Sequence, residues 1–106
     1  MRILFDQGTP VPLRGFLKSH SVETAYERGW STLGNGELLV AAEQEGFEVL
    51  VTTDLNLRYQ QNLARRNIAV VVLNTPSWPR IQEATDLVVE AVRKAVPGSY
   101  AEVTIP

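Results

Sequence analysis

The sequence predicts an α/β layered domain built on a mainly parallel sheet of about five strands. Short apolar runs alternate along the chain with segments of helical periodicity, which is the pattern of layered α/β domains. Residues 68–73 form an unbroken run of Ile, Ala, Val, Val, Val and Leu. Continuous apolarity is typical of a strand that helices cover on both faces of a parallel sheet. A chain of 106 residues has room for one such core, so we expect a single domain over residues 1–106.

The first fifth of the chain predicts a strand and then a helix. Residues 2–5 are a short apolar run that suits a buried central strand, and Asp6 ends it. Thr9 and Pro10 signal a helix start, because the hydroxyl can cap and proline is tolerated in the first turn. We expect this helix to end near Ser19.

The middle of the chain predicts two further strands on either side of a helix. Residues 21–25 are read as the second strand, and residues 26–34 as a loop. A helix is predicted over residues 35–46, because apolar residues recur on one face and a glycine stands at the expected C-terminal cap. Residues 48–53 are predicted as the third strand.

The last half of the chain predicts two helices and two strands. Residues 56–67 are polar enough for a short surface helix, and the apolar run at 68–73 follows as the fourth strand. Residues 80–96 carry apolar side chains at spacings of three and four, which predicts a helix. Residues 100–105 alternate apolar and polar side chains, so we expect a half-exposed fifth strand at an edge of the sheet.

Composition narrows the functional classes. The net charge of −2 provides no global positive field, so any nucleic-acid binding must come from a local patch. The absence of cysteine excludes disulfides, thiolate metal ligands and a cysteine nucleophile. The N-terminal residues lack the apolar stretch of a signal peptide, and no apolar run is long enough to span a membrane. We therefore expect a cytoplasmic protein without a membrane partner.

Three acidic residues are the candidates for a functional site. Asp6 and Asp54 each follow a strand-like run, and Glu37 lies at the start of a predicted helix. Residues just beyond the carboxyl ends of parallel strands line the binding crevice, and carboxylate oxygens there suit hard cations such as Mg²⁺ or Mn²⁺. A single aspartate in this position is more often a turn former, and the helix dipole alone explains Glu37. The metal interpretation depends on the three acids converging.

Four segments of the sequence carry a resemblance to a known family. They are Arg2-Ile-Leu-Phe-Asp-Gln-Gly-Thr-Pro, His20-Ser-Val-Glu-Thr-Ala, Gly29-Trp-Ser-Thr-Leu-Gly-Asn-Gly-Glu-Leu-Leu and Val51-Thr-Thr-Asp-Leu-Asn-Leu. In this order they resemble the small bacterial PIN-like proteins, a group that is similar to the PIN-domain toxins of toxin–antitoxin systems. The resemblance extends roughly over residues 1–73.

The resemblance implies a three-layer α/β/α domain whose acidic pocket binds Mg²⁺ or Mn²⁺ and hydrolyses RNA. It makes Asp6, Glu37 and Asp54 the catalytic and metal-binding acids. Asn56 stands where many relatives have a further acid and would be a weaker, uncharged metal ligand. Gln7 also replaces an acid that is common in the group. These two departures put two-metal chemistry in question.

Four residues are candidates for contacts with the RNA substrate. Arg58, four residues beyond Asp54, is placed to contact a phosphate, because a guanidinium binds phosphate oxygens in a bidentate way. Tyr59 and Gln60 either contact a base or pack their helix. Trp30, in a glycine-flanked loop, either stacks on an unpaired base or anchors the core, and the second interpretation is favoured.

Three alternatives stay open at the level of sequence. A receiver domain has a similar layout and would make Asp54 a phosphoacceptor, but an acidic pair after the first strand and a lysine after the fourth or fifth strand are missing. A PIN-like module without catalytic activity could bind a protein or nucleic acid in the same crevice. If the protein is a toxin, we expect an antitoxin partner that covers the crevice, and such proteins also commonly form homodimers.

Overall fold

The computed structural model describes residues 1–57 and 62–106 and contains a five-stranded sheet whose neighbouring strands all run parallel. The strands are β1 (Arg2–Phe5), β2 (Ser21–Thr24), β3 (Val49–Thr52), β4 (Ala69–Leu73) and β5 (Tyr100–Val103). Their order across the sheet is β2-β1-β3-β4-β5. The predicted α/β class and parallel sheet are confirmed, and β5 is an edge strand as expected.

The described helices connect successive strands. They are α1 (Asn35–Gln44), α2 (Trp78–Gln82) and α3 (Thr85–Arg93), together with 3-10 helices at Val11–Phe16 and Leu63–Arg65. Within the described residues, no helix has the length and apolarity that a membrane crossing requires.

The sheet separates two clusters of buried side chains. Leu4 of β1 belongs to the cluster on one face, where Leu39 of α1 also packs. Ile3 belongs to the cluster on the opposite face, together with Ile81 of α2 and Val88 of α3. Because successive side chains of a strand point to opposite faces, helices therefore cover both sides of the sheet. This packing explains the continuous apolarity of the central strands and agrees with the expected layers.

Two of the predicted helices differ from those in the structure. The segment after β1 forms a six-residue 3-10 helix, since Pro10 and Pro12 lack amide donors and Gly15 lowers helix propensity. The prediction that Thr9 caps this helix is wrong, because its hydroxyl donates to the carbonyl of Val51 at 2.9 Å. The helix predicted over residues 80–96 is instead α2 and α3, and the backbone leaves the helical region at Ala84 (φ −136°, ψ 28°).

Only part of the helix predicted over residues 56–67 can be compared with the structure. Leu63–Arg65 form a 3-10 turn, with the Leu63 side chain buried in the core. Residues 58–61 of that prediction lie outside the described residues.

Candidate functional site

The carboxyl ends of β1 and β3 meet where the chain changes direction across the sheet. The segment after β1 leads to β2 on one side, and the segment after β3 leads to β4 on the other. Phe5 lies opposite Val51 in the β1–β3 pair, so Asp6 and Asp54 follow neighbouring strands at the carboxyl end of the sheet. Such a switch point is where open parallel sheets form their binding crevice. The sheet therefore gathers two of the three predicted acids.

A buried threonine links the two aspartates. The Thr52 hydroxyl donates to Oδ2 of Asp6 at 2.8 Å and accepts from the backbone N–H of Asp54 at 3.1 Å. Thr52 is 1% exposed, and it is the last residue of β3. Sequence reasoning missed it, although a hydroxyl residue at the end of an apolar strand, two positions before an acid, is a usable signal.

Hydrogen bonds orient both carboxylates. Asn35 Nδ2, at the start of α1, donates to Oδ2 of Asp54 at 2.7 Å, and the backbone N–H of Asn56 donates to Oδ1 at 2.9 Å. The backbone N–H of Gln7 donates to Oδ1 of Asp6 at 2.7 Å. Among the described residues, each carboxylate oxygen thus accepts one hydrogen bond and keeps further acceptor capacity for a ligand. Asn35 is a second site residue that the sequence analysis missed.

The loop after β1 is packed tightly on the end of β3. A Cβ atom built on Gly8 would lie 2.4 Å from Oγ1 of Thr53, so only glycine fits this approach without movement. One residue further, Thr9 is anchored on the Val51 carbonyl. These contacts position the Asp6 loop against β3, beside Asp54.

Glu37 has a structural partner of its own. Its Oε1 atom accepts a hydrogen bond from the backbone N–H of Gly34 at 3.2 Å, which is the arrangement of a capping box at the start of α1. Across residues 1–57 and 62–106, no group of three or more His, Cys, Asp or Glu side chains is placed to hold a metal ion. The structure links Asp6 to Asp54 through the Thr52 hydroxyl and places Glu37 in the helix cap.

The other sequence candidates are distributed differently. Asn56 is exposed, and its backbone amide supports Asp54. Arg58, Tyr59 and Gln60 lie outside the described residues. Their predicted substrate contacts therefore stay predictions.

Trp30 packs against the protein. Its ring lies edge-on to Phe47, with ring centroids 6.1 Å apart, and the guanidinium of Arg28 lies 4.8 Å from its centroid. Phe47 is 2% exposed and precedes β3, at the amino end of the sheet. The packing interpretation of Trp30 fits these contacts better than base stacking.

A groove of about 320 Å³ opens beside Asp6. It lies between the segments that follow β1 and β2, and Val11, Arg14, Tyr26 and Glu27 form its other walls. Arg14 and Glu27 pair with each other at 3.1 Å. The sequence analysis did not single out these residues, because they become neighbours of Asp6 only when β1 and β2 pair.

The donor atoms of the site suit a hard cation. Both aspartates are partly exposed, and their carboxylate oxygens are ligands that a hard cation prefers. Mg²⁺ is commonly bound through one or two carboxylates plus water and substrate phosphates, so a pair of aspartates fits it without a third acid. Within the described part of the chain, neither aspartate is in an ion pair with a lysine or arginine.

Comparisons of this chain with protein-family models, curated proteins and solved structures give no match. Its strand order is that of flavodoxin-like doubly wound sheets, which carry many unrelated functions. The strand order alone therefore identifies no function.

Proposed function

We propose that the protein is a metal-dependent ribonuclease of PIN-like type and the toxin component of a toxin–antitoxin pair. One observation carries the proposal: two partly exposed aspartates follow the carboxyl ends of adjacent parallel strands, and the Thr52 hydroxyl joins the carboxylate of Asp6 to the backbone of Asp54. The motif resemblance over residues 1–73 supplies the reaction class.

Electrostatics favours a cation between these groups. Carboxylates that follow adjacent strands repel each other, and within the described residues no arginine or lysine pairs with either aspartate to relieve this repulsion. A divalent ion relieves it and also attracts an anionic phosphodiester. Mg²⁺ or Mn²⁺ is the ion class that oxygen ligands select.

The chain's own residues divide into ligands and positioning groups. Asp6 and Asp54 would hold the ion, Thr52 orients the Asp6 carboxylate, and Asn35 fixes the rotamer of Asp54. When bound, Mg²⁺ or Mn²⁺ supplies charge stabilisation at the phosphate and lowers the pKa of water. The crevice is open to solvent at both aspartates, so a phosphate and a water molecule can reach them.

The remaining assignments depend on the resemblance alone. It makes Glu37 a third acid, Asn56 a neutral ligand and Arg58 a phosphate contact. For Glu37, a ligand role requires its carboxylate to leave the Gly34 amide or to use its second oxygen.

The test is manganese and magnesium binding by calorimetry together with cleavage of a mixed RNA pool. We expect Asp6→Asn and Asp54→Asn each to lower cleavage by more than about 100-fold, since even residues that only support a metal ligand are worth 10- to 100-fold. Glu23→Gln is the matched control, because it removes one carboxylate charge that is engaged in ion pairs with Arg2 and Arg28. Failure of the wild type to bind either ion at millimolar concentration would overturn the proposal.

A second candidate is a PIN-like module that binds nucleic acid or a protein partner without hydrolysis. The observation that favours it is the position of Glu37, which caps α1 and leaves two acids in the crevice of the described structure. RNA binding by the wild type without any metal-dependent cleavage would support this candidate over the nuclease.

The toxin assignment has its own test. Expression in a bacterial host should arrest growth, and Asp6→Asn should relieve the arrest at equal protein level. An antitoxin that covers the crevice should prevent manganese binding at Asp6 and Asp54 in the same calorimetric assay. If active wild-type enzyme does not affect growth, the toxin role is contradicted, whereas the nuclease function is not.

A further inference from the structure

An exposed tyrosine stands beside the crevice. Tyr26 is 78% exposed and lines the groove that Asp6 also lines. The residue before it, Ala25, donates its backbone N–H to the carbonyl of Phe5 at 2.8 Å, which continues the pairing of β2 with β1. Paired strands lie about 4.8 Å apart, and Tyr26 directly follows the residue that pairs with the end of β1. Tyr26 is therefore close to the backbone of Asp6.

The turn that presents Tyr26 is closed by reciprocal hydrogen bonds. Thr24 and Glu27 each use the side chain to accept the other's backbone N–H, at 3.0 Å and 2.9 Å. The turn is closed further by the backbone N–H of Gly29, which donates to the carbonyl of Tyr26 at 3.0 Å. Gly29 adopts φ 76°, a left-handed conformation that favours glycine. The ring is thus carried on a pre-formed backbone, which lowers the entropic cost of binding a ligand.

The charge of the groove suits a neutral ligand better than a second phosphate. The Arg14 guanidinium contacts both oxygens of Glu27, at 3.1 Å and 3.2 Å, so its charge is already balanced. The Val11 side chain, 52% exposed, adds an apolar wall. A planar, uncharged group with an apolar face fits these walls, and a nucleobase is such a group.

Trp30 and Tyr26 differ in what covers their rings. The Trp30 ring is occupied by Arg28 and Phe47, whereas the Tyr26 side chain is largely in solvent. Single-stranded nucleic acids bind by stacking unpaired bases on accessible aromatic rings. Of these two aromatics, Tyr26 meets that requirement and also shares a groove with a site carboxylate.

We propose that Tyr26 stacks on an unpaired base of single-stranded RNA, next to the phosphate that a cation bound by Asp6 and Asp54 would attract. This inference rests on the ribonuclease function proposed above and names its substrate class. It predicts that the enzyme prefers unpaired RNA, because a base within a duplex is already stacked on its neighbours.

The test is the affinity of a fluorescein-labelled single-stranded RNA of mixed sequence, measured by fluorescence anisotropy in calcium. A gel of the recovered RNA verifies that it stays intact. We expect Tyr26→Ala to weaken binding roughly 5- to 100-fold, the loss of one stacked base, and Tyr26→Phe to bind like the wild type because the ring remains. Phe16→Ala is the matched control, since Phe16 is an exposed aromatic outside the groove that packs against Trp78.

The outcomes separate this inference from the proposed function. Equal affinity of wild type and Tyr26→Ala would overturn the stacking role even if metal-dependent cleavage is intact. Equal loss of affinity for single-stranded RNA and for the matching duplex would also overturn it, because stacking requires an unpaired base. A loss confined to single strands, with manganese affinity unchanged, supports it, even in a protein that proves inactive as a nuclease.

Discussion

The two ends of the sheet use charged residues in opposite ways. Around Phe47, which precedes the amino end of β3, Arg2 and Arg28 both contact Glu23, and Arg28 also pairs with Glu45. The two guanidinium groups lie over the Phe47 ring, at 4.4 Å and 5.6 Å from its centroid. Acids, bases and an aromatic ring therefore satisfy one another in a closed cluster.

At the carboxyl end, Asp6 and Asp54 are held by neutral donors. A threonine hydroxyl, an asparagine amide and backbone N–H groups orient them, and none of these donors neutralises their charge. In the described residues, no cation is paired with either aspartate. Within the described residues, the protein thus supplies a counter-charge to the acids around Phe47 but only orienting hydrogen bonds to Asp6 and Asp54.

Removing the Thr52 hydroxyl should have the largest effect on stability. Thr52→Val leaves Oδ2 of Asp6 without this donor and the Asp54 amide without this acceptor, which we expect to cost about 2 kcal/mol in the free energy of unfolding. RNA cleavage should fall as well, because the Asp6 carboxylate loses its orientation. Urea unfolding measures the first effect, and Thr52→Ser, which keeps the hydroxyl, is the control. Equal stability of the valine and threonine proteins would contradict the linking role.

The closed cluster at the amino end should affect stability alone. Arg28→Ala removes two partly exposed ion pairs and a guanidinium stacked on Trp30, worth about 1 kcal/mol together. Cleavage of RNA should be unchanged. Arg28→Lys keeps the charge and loses the planar stacking, so its free energy of unfolding should lie between those of the wild type and Arg28→Ala. A loss of cleavage in Arg28→Ala that its lower stability does not explain would contradict the purely structural role of this cluster.

Glu37 tests whether a capping acid also serves the crevice. Glutamine can fill the same capping position, so Glu37→Gln should change the free energy of unfolding by less than about 0.5 kcal/mol. If the role implied by the resemblance holds, manganese affinity should fall at the same time, which calorimetry would detect. Unchanged affinity would leave Glu37 as a helix cap only.

The smallest expected effect is a pH dependence at Glu27. The backbone N–H of Thr24 and then the Arg14 guanidinium lower the pKa of Glu27 below its usual 4.5. Because the folded-state pKa is the lower one, this carboxylate stabilises the fold above its usual pKa, and the contribution is lost as the pH falls through the folded-state value. The stability difference between wild type and Glu27→Gln should therefore shrink between pH 6 and pH 3. A difference that is constant over this range would contradict the assignment.

Local pattern predicted most of the secondary structure. All five strands lie within the predicted segments, with ends that differ by at most two residues. The prediction succeeds because a buried strand is a short, local run of apolar residues. The helix after β1 and the helix at residues 80–96 were less well predicted. In these cases short-range backbone effects, two prolines in the first and the interruption at Ala84 in the second, outweighed apolar periodicity.

The sequence by itself determined which residues end the strands, and so put Asp6 and Asp54 at strand termini. Only the tertiary structure decided that β1 and β3 are neighbours and that Thr52 joins their aspartates. It also decided that Tyr26 lines a groove with Asp6, whereas Trp30 packs against Phe47. The physical reason is range. Periodicity and capping act within a few residues, whereas strand order and side-chain convergence join residues that are about 20 to 50 positions apart and depend on how the whole core packs.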